Sequence, residues 1–310
     1  MKCFNPVYIS NPLYPEHDPR PKISVPCGKC ASCLKSSSDD WSIRLEEELR
    51  SSISAYFITL TYDDAHLPLQ EVTVSADSGS TILPVVNLDD VSAFVKRLRS
   101  FHKRLFNGQD LLPIRFFVCS EYGPTTLRPH YHGIFFNIFP SLSSSEVDMV
   151  KIHKAIEKIW SNGFIKVDSV TSNRIKYVTK YCFSQYDVPY YLPKPGHRMS
   201  RNPGLGSSYI NNEDRVNWHK QFMANYYPLP GGKKARLPRY YKDRIFSDEE
   251  KAVLYQDYLV YALEKSEEER TLFNSFHHLD DARKEVVRQE RLRQKFLTRI
   301  KGNNKKRNKI

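Results

Sequence analysis

The pattern of hydrophobic and polar positions predicts strands that alternate with amphipathic helices over residues 41–183. AYFITLTY (55–62), IRFFVCSEYG (114–123) and HYHGIFFNIF (130–139) are rich in β-branched and aromatic residues, which is typical of buried strands. The second and third of these segments are separated by a turn and predict a hairpin. GFIKVDSV (163–170) predicts one further short strand.

Helices are predicted between and around these strands. In LDDVSAFVKRLRSFHKRL (88–105) the apolar residues recur at helical spacing on one face, and Asp89 or Asp90 can cap its first turn. The other predicted helices are WSIRLEEELRSS (41–52), SEVDMVKIHKAIEKIW (145–160) and NRIKYVTKYCF (173–183). This order of elements predicts an α+β fold, in which an antiparallel sheet carries helices on one face.

Composition divides the chain into three predicted regions. Residues 1–40 are rich in Pro, Ser and Cys and are predicted to be an irregular, metal-binding segment. Residues 41–245 form the predicted main domain, and 187–245 of it should be a partly irregular wrap rich in Pro, Gly and Tyr. Residues 246–310 begin with a capping-box pattern at Ser247, and we expect a helical region that ends in a basic tail.

The charge balance narrows the choice of partner. The formal net charge is +12, and residues 283–310 alone hold twelve Lys or Arg against two Glu. Such a balance favours a polyanion, either nucleic acid or a membrane surface. No apolar run approaches the ~18–20 residues that span a bilayer, and the first residues lack the apolar core of a signal peptide. We therefore expect an intracellular protein with no membrane partner.

Two histidines on one predicted strand are the first candidate for chemistry. Alternate residues of a strand point to the same face, so His130 and His132 should project together. Glu121 ends the preceding strand, and hairpin pairing would bring it beside them. Two neutral imidazoles and a carboxylate leave coordination positions for water and a phosphate oxygen, and they suit Mn²⁺ or Mg²⁺. The alternative is a polar strand face without any ligand role.

Two tyrosines on one predicted helix are the candidate nucleophiles. Tyr177 and Tyr181 are four residues apart in YVTKY and share a helix face, and Lys180 reaches the same side. A phenol with a pKa near 10 is a poor nucleophile at neutral pH. A nearby cation and a metal that polarises the phosphate would both help. Plain packing of aromatic residues against a core is the alternative.

The N-terminal cysteines form a second constellation. Cys27, Cys30 and Cys33 follow C-x-x-C-x-x-C spacing, and Cys3 is available as a fourth ligand. Four thiolates without a redox motif predict a structural Zn²⁺ site. An Fe–S cluster and free thiols are the alternatives.

These motifs together resemble those of the HUH superfamily of single-strand DNA endonucleases. FITLTY is similar to the first motif of that superfamily, RPHYHGIFF to its histidine pair and YVTKY to its tyrosine motif. The resemblance is closer to replication initiators of small single-stranded DNA phages of the microvirus, gokushovirus-like type. PCGKCASC, SEYGPTTLRPHYHGIFF, MSRNPGLG and LPRYY follow in that family's order, and the resemblance covers roughly residues 1–245.

The resemblance implies an HUH endonuclease fold, which is ferredoxin- or RRM-like, in residues 41–245. It also implies rolling-circle initiation, in which phage DNA is nicked and rejoined at the origin through a 5′-phosphotyrosine. The residues carried over are Tyr177 as nucleophile, Lys180 as accessory lysine, Tyr181 as the second tyrosine of some relatives, and Glu121, His130 and His132 as ligands of Mg²⁺ or Mn²⁺.

Single-stranded origin DNA is therefore the expected partner, in the cytoplasm of a host cell. The candidate DNA contacts are Arg128, Arg201 and Arg239 in the quoted motifs, and Lys305, Lys306 and Arg307 in the tail. Because no G-x-x-x-x-G-K-[ST] motif is present, a host helicase and a host polymerase are expected partners. Two rival functions are a zinc-stabilised nucleic-acid-binding protein without catalysis, and an HUH transposase or relaxase.

Overall fold

The computed structural model describes residues 3–10, 22–75, 79–107, 112–140, 146–183, 188–258, 271 and 279–305. The strands are β1 (Val7–Ser10), β2 (Lys22–Val25), β3 (Ala55–Thr61), β4 (Leu69–Ser75), β5 (Gly79–Pro84), β6 (Arg115–Tyr122), β7 (Pro129–Phe136), β8 (Ile165–Ser169), β9 (His197–Met199), β10 (Tyr226–Pro228) and β11 (Lys234–Arg236). The helices are α1 (Ala31–Arg50), α2 (Leu88–Leu105), α3 (Glu146–Ile159), α4 (Ser172–Phe183), α5 (Glu213–Gln221), α6 (Arg239–Ile245), α7 (248–258) and α8 (Asp281–Lys305).

The chain forms two compact units. The larger unit comprises Ser38–Trp218 and Tyr227–Tyr241, and the smaller one comprises Met1–Ser37, His219–Tyr226 and Lys242–Ile310. The division of the sequence into three regions stays a prediction. Among the helices within the described ranges, none combines the length and the apolar character that a bilayer span needs.

The larger unit is built on a five-stranded sheet with strand order β8-β3-β7-β6-β9. Every neighbouring pair of strands in it is antiparallel. The hairpin of β6 and β7 places Glu121 opposite His130, and β3 pairs with the other side of β7. The predicted α+β class with an antiparallel sheet is confirmed, as are the strands at 55–62 and 114–123.

Helices cover both faces of this sheet, and the prediction of helices on one face was wrong. On one face, Tyr56, Ile58 and Leu60 pack in a core with residues of α2 and α3. On the other face, Phe57 and Ile134 pack with residues of α1 and α4. The reason is that β3 and β7 carry apolar side chains at successive positions, and a strand with that pattern is buried on both sides.

The start of α2 shows how the local sequence sets a helix end. Asn87 caps the helix, and its side chain accepts a hydrogen bond from the amide of Asp89 at 3.1 Å. The prediction that Asp89 or Asp90 caps the helix was therefore wrong by two residues or more. Both carboxylates lie in the first turn instead, where they oppose the positive end of the helix dipole.

The N-terminal segment is more regular than its composition predicts. Strands β1 and β2 form an antiparallel hairpin, and α1 begins at Ala31, ten residues before the predicted start at Trp41. The amide of Leu34 bonds to the carbonyl of Cys30 at 2.9 Å in the first turn. Tertiary contacts of the cysteines fix this turn, and they override the weak helix propensity of Ser and Cys.

Candidate active site

The β6–β7 hairpin brings an acidic and two imidazole side chains together. Atom Nε2 of His130 lies 3.5 Å from Oε2 of Glu121, and Nε2 of His132 lies 3.4 Å from the same oxygen. One ligand atom from each of the three residues lies within 4.8 Å of the others. We call these three residues the triad. Two imidazoles and one carboxylate at this spacing are compatible with a divalent cation.

An orphaned oxygen supports this fit. Atom Oε2 of Glu121 is buried, and within the described structure it has no hydrogen-bond partner. The imidazole nitrogens are near, but at 3.4 and 3.5 Å they do not meet hydrogen-bond geometry. A buried carboxylate oxygen without a partner is costly. A cation between the three side chains would supply that partner.

The hydrogen bonds behind the imidazoles prepare their ligand atoms. His130 Nδ1 lies 3.2 Å from the carbonyl of Arg128, which can only accept, so the proton is on Nδ1 and Nε2 keeps its lone pair. Thr59 Oγ1 lies 3.0 Å from Nδ1 of His132. Burial lowers the pKa of His132 and keeps it neutral. Burial raises the pKa of Glu121, but its hydrogen-bonding and charge interactions with the two imidazoles lower that pKa further, to below its ordinary value.

Tyr131, between the two histidines, serves the opposite face of the sheet. Its side chain is fully buried in the core under α2 and α3. Its hydroxyl donates to the carbonyl of Asn87 at 2.7 Å, accepts from the amide of Asn87 at 2.9 Å and lies 2.7 Å from the hydroxyl of Tyr62. The strand thus alternates between triad and core, and the bulky residue between the histidines is a packing residue.

Helix α4 presents Tyr177 to the triad. Its hydroxyl lies 3.4 Å from Nε2 of His132, and the two rings meet edge to face at a centroid distance of 5.1 Å. The side chain is 38% exposed, so a substrate can approach the hydroxyl. Phe57 contacts the other side of the ring edge to face at 6.1 Å. The predicted juxtaposition of Tyr177 with the triad is present, while its catalytic role stays a prediction.

Buried contacts hold α4 in this position. Ile175 and Val178 are fully buried in the core on this face of the sheet. Thr179 is also fully buried, and its hydroxyl lies 2.8 Å from that of Ser42 and 3.2 Å from that of Ser38, both on α1. A one-turn shift of α4 would break these contacts. The position of the Tyr177 hydroxyl is therefore set by packing.

The other two residues of the predicted tyrosine motif are described in different detail. Lys180 is exposed one turn after Tyr177 on α4. The backbone of Tyr181 continues the same helix, but its side chain lies outside the described residues. The assignment of Tyr181 as a second nucleophile stays a prediction.

The arginines predicted to bind DNA are spread over the larger unit. Arg128 lies beside the triad, and its guanidinium forms an ion pair with Asp64 at 2.5 Å, so it also holds the turn before β7. Arg201 is exposed after β9, near the end of β6 that is opposite to Glu121. Arg239 is exposed on the first turn of α6. Their roles in DNA binding stay predictions.

The basic tail is only partly described. Lys305 ends α8 with its backbone in the helix, and its side chain is outside the described residues. Lys306 and Arg307 lie beyond the described ranges altogether. Their predicted contacts with the DNA backbone stay predictions.

Four cysteines of the smaller unit form a second candidate metal site. Cys3, Cys27, Cys30 and Cys33 each offer a sulfur atom within 4.8 Å of the others, and those of Cys3 and Cys30 are 3.8 Å apart. Zinc bound tetrahedrally by sulfur at about 2.3 Å has ligand atoms about 3.8 Å from one another. The four side chains therefore fit a zinc ion.

Backbone amides surround the sulfur atoms of this cysteine cluster. The amide of Cys27 donates to Cys3 at 3.2 Å, and that of Cys30 donates to Cys27 at 3.3 Å. The amides of Lys29 and Cys30 lower the pKa of Cys27 to about 6, whereas burial raises the pKa of Cys33 to about 12. A bound cation would favour the thiolate form of the thiols that burial keeps protonated.

Two threonines of β3 were missed from the sequence. Thr59 pairs with His132 and Thr61 pairs with His130 across the β3–β7 ladder. Thr59 fixes the ring of His132 through its hydroxyl. The alternation in FITLT carries the necessary signal, because it places two hydroxyls on the face opposite to Ile58. Only the pairing of β3 with β7 tells which histidine each threonine serves.

Fold and site together define an α+β protein in which a tyrosine meets a two-histidine, one-glutamate triad on an antiparallel sheet. Residues 55–185 match a family model of replication-associated proteins of the ORF2 type. The chain is 29% identical over 259 residues to Replication-associated protein ORF2 of Spiroplasma virus 4, which covers 81% of this chain and 76% of that protein. No solved structure matches the chain significantly.

Two further relatives are replication-associated proteins of phages. Replication-associated protein VP4 of Bdellovibrio phage phiMH2K is 29% identical over 233 residues, or 71% of this chain and 67% of that protein. Replication-associated protein ORF4 of Chlamydia phage 1 is 26% identical over 230 residues, or 71% of this chain and 53% of that protein. The chain is therefore a relative of the replication-associated proteins of small phages, and the resemblance predicted from its motifs is confirmed.

Proposed function

We propose that this protein is a metal-dependent, site-specific nickase and strand transferase that starts rolling-circle replication of phage DNA. The observation that carries the proposal is the Tyr177 hydroxyl 3.4 Å from Nε2 of His132, at the edge of the triad. The similarity to replication-associated proteins of phages supports a role in replication. The non-catalytic alternative gives no reason for a partly exposed phenol at a candidate cation site.

The proposed reaction is a transfer of a phosphodiester to Tyr177. The phenol oxygen forms a bond to phosphorus and loses its proton to solvent, and the bond from phosphorus to the 3′ oxygen breaks. This leaves a 5′-phosphotyrosine and, once the leaving oxygen is protonated, a free 3′-OH that can prime synthesis. Attack by a 3′-OH on the phosphotyrosine reverses the step and rejoins the strand.

The residues around Tyr177 have separate parts in this scheme. A divalent cation held by Glu121, His130 and His132 would polarise the scissile phosphate. Thr59 orients the ring of His132 through its hydroxyl. Lys180 brings positive charge one turn from the phenol, where it would favour the phenolate and the incoming phosphate. The packing of α4 places the phenol before substrate arrives, which lowers the entropic cost of the reaction.

Covalent capture of DNA tests this function. Full-length protein incubated with end-labelled single-stranded DNA of the phage origin and Mn²⁺ is expected to yield a covalent band that survives denaturation. The band should not form when EDTA is present. If the protein binds this DNA but never forms the adduct at any metal concentration, the non-catalytic binding function replaces the nickase.

We also propose that the cysteine cluster holds one structural Zn²⁺. Reduced, freshly purified protein is expected to contain one zinc per chain. Cys27→Ser should lose the zinc and melt at a lower temperature, because the binding free energy of structural zinc contributes to folding. Elemental analysis and thermal denaturation provide the measurements.

Cys119→Ala is the control for the zinc experiment. Cys119 is a free, fully buried cysteine of the larger unit, so zinc content should be unchanged when it is replaced. Zinc that persists in Cys27→Ser with unaltered stability would contradict the proposal. So would wild-type protein that contains neither zinc nor iron.

A further inference from the structure

A row of side chains crosses the sheet from the triad to the β8 edge. Glu121 of β6 pairs with His130 of β7, and His130 pairs with Thr61 of β3. Thr61 lies opposite Phe164, whose carbonyl accepts hydrogen bonds from the amide of Thr61 at 2.9 Å and from its hydroxyl at 3.1 Å. Directly opposed residues of antiparallel strands point to the same face. We call Glu121, His130, Thr61 and Phe164 the cross-strand row.

Phe164 is the outer member of this row, and its ring faces solvent. The side chain is 70% exposed, although phenylalanine is among the residues most often buried. The backbone beside it is held in place, since the amide of Asp63 bonds to the carbonyl of Asn162 at 3.0 Å. Gly163 has φ +148, and a Cβ there would lie 2.3 Å from the Asp63 nitrogen. A ring on such a backbone can meet a ligand at a small cost in entropy.

A cation lies next to this ring on the same face. Lys166 is 73% exposed on β8, and it pairs with Thr59, which pairs in turn with His132. Its contact with Asp168 is long, at 3.7 Å, and leaves the ammonium group accessible to another anion. The β8 edge therefore combines an aromatic ring with a positive charge, in register with the two histidines.

The distance from this edge to the triad suits a DNA strand. Two strand spacings separate Phe164 from His130, or about 10 Å. Neighbouring bases in a stacked strand are about 3.4 Å apart and lie further apart when the strand is extended. A strand whose scissile phosphate lies at the triad therefore reaches Phe164 within a few nucleotides.

We propose that Phe164 is the stacking platform for one unpaired base of the bound single-stranded DNA, with Lys166 at an adjoining phosphate. The inference rests on the proposed function, because it gives the path of the substrate strand across the face that carries the triad. Stacking on an aromatic ring is possible for any base, so this contact contributes affinity and strand position without reading sequence.

Binding of full-length protein to a fluorescein-labelled oligothymidylate, followed by anisotropy without added metal, tests this platform. Phe164→Ala is expected to bind about five- to 150-fold more weakly, the range found for loss of one stacked base. Phe164→Trp should retain the affinity, because it keeps an aromatic face. An oligomer of the same length made only of abasic deoxyribose phosphate should bind wild type and Phe164→Ala equally, since it has no base to stack.

Leu105→Ala is the matched control, and further outcomes decide the inference. Leu105 is 51% exposed at the end of α2, which packs on the opposite face of the sheet, and its loss should leave binding unchanged. Equal oligothymidylate affinity of wild type and Phe164→Ala overturns the inference, as does an equal loss on the abasic oligomer. If such results accompany a covalent adduct, the proposed function still stands. A base-dependent loss in a protein that forms no adduct supports the platform and removes the nickase.

Discussion

Tyr177→Phe is expected to abolish the covalent adduct, with adduct formation at least about 1,000-fold slower than in wild type. The change removes the attacking oxygen, and none of the phenylalanine's atoms can take over its role. The ring remains, so its edge-to-face contacts with His132 and Phe57 should persist. We therefore expect unchanged melting temperature and unchanged affinity for origin DNA. Quantification of the covalent band and anisotropy titration measure the two effects separately.

Tyr181→Phe is the comparison that assigns the first cleavage. Tyr181 is one turn further along α4, and its variant should still nick at first encounter and form the adduct. Mass spectrometry of the DNA-linked peptide should place the phosphotyrosine at Tyr177. An adduct found only on Tyr181 would reverse the two roles. An adduct that persists in the double variant would remove both tyrosines from the mechanism.

The triad could be predicted from the sequence because each relation that it depends on is local. Alternation on one strand places His130 and His132 on the same face, and a hairpin with a short turn brings Glu121 beside them. Helical spacing likewise places Lys180 near Tyr177 on α4. These relations hold whatever the rest of the fold does. The distance between Tyr177 and His132 is not local, and it depends on the docking of α4 onto the sheet through Ile175 and Val178.

The features that the sequence did not reveal all depend on which strands are neighbours. Thr59 and Phe164 become site residues only because β3 lies between β7 and β8. Neither residue is near the histidines in sequence, and the pairing partner of a strand is not fixed by its own pattern. The coverage of both sheet faces has the same origin. A continuous apolar run in β3 is compatible with a buried strand, but it does not tell which helix lies on which side.

The N-terminal segment differs from its prediction for another reason. Its Pro, Ser and Cys content predicts irregular structure, since these residues have weak helix and strand propensities. In the structure, the cysteines converge, and the first turn of α1 begins at the third of the four, Cys30, with the fourth, Cys33, inside it. The constraint comes from four side chains that are far apart in sequence. Counting the cysteines predicts a metal site, whereas local propensity does not predict the helix that the site begins.

Glu121→Gln is expected to remove the metal dependence of both stability and reaction. The amide has the shape of the carboxylate but lacks the charge that holds a hard cation such as Mn²⁺ or Mg²⁺. At a metal concentration about 100 times the dissociation constant, binding adds about 2.7 kcal/mol to the free energy of unfolding. Wild type should therefore melt at a higher temperature with Mn²⁺ than with EDTA. The variant should show little of this shift and should form about 10- to 100-fold less adduct, or none.

The condition without metal separates a lost cation from a damaged fold. In EDTA the variant should be at least as stable as wild type, because the substitution removes a buried carboxylate oxygen that has no hydrogen-bond partner in the described structure. Glu71→Gln is the matched control, since it changes an exposed glutamate on β4 and should keep both the Mn²⁺-induced shift and the adduct. An Mn²⁺-induced shift of wild-type size in Glu121→Gln would show that the cation binds elsewhere. The proposed role of the triad would then be wrong, whatever the outcome for Tyr177.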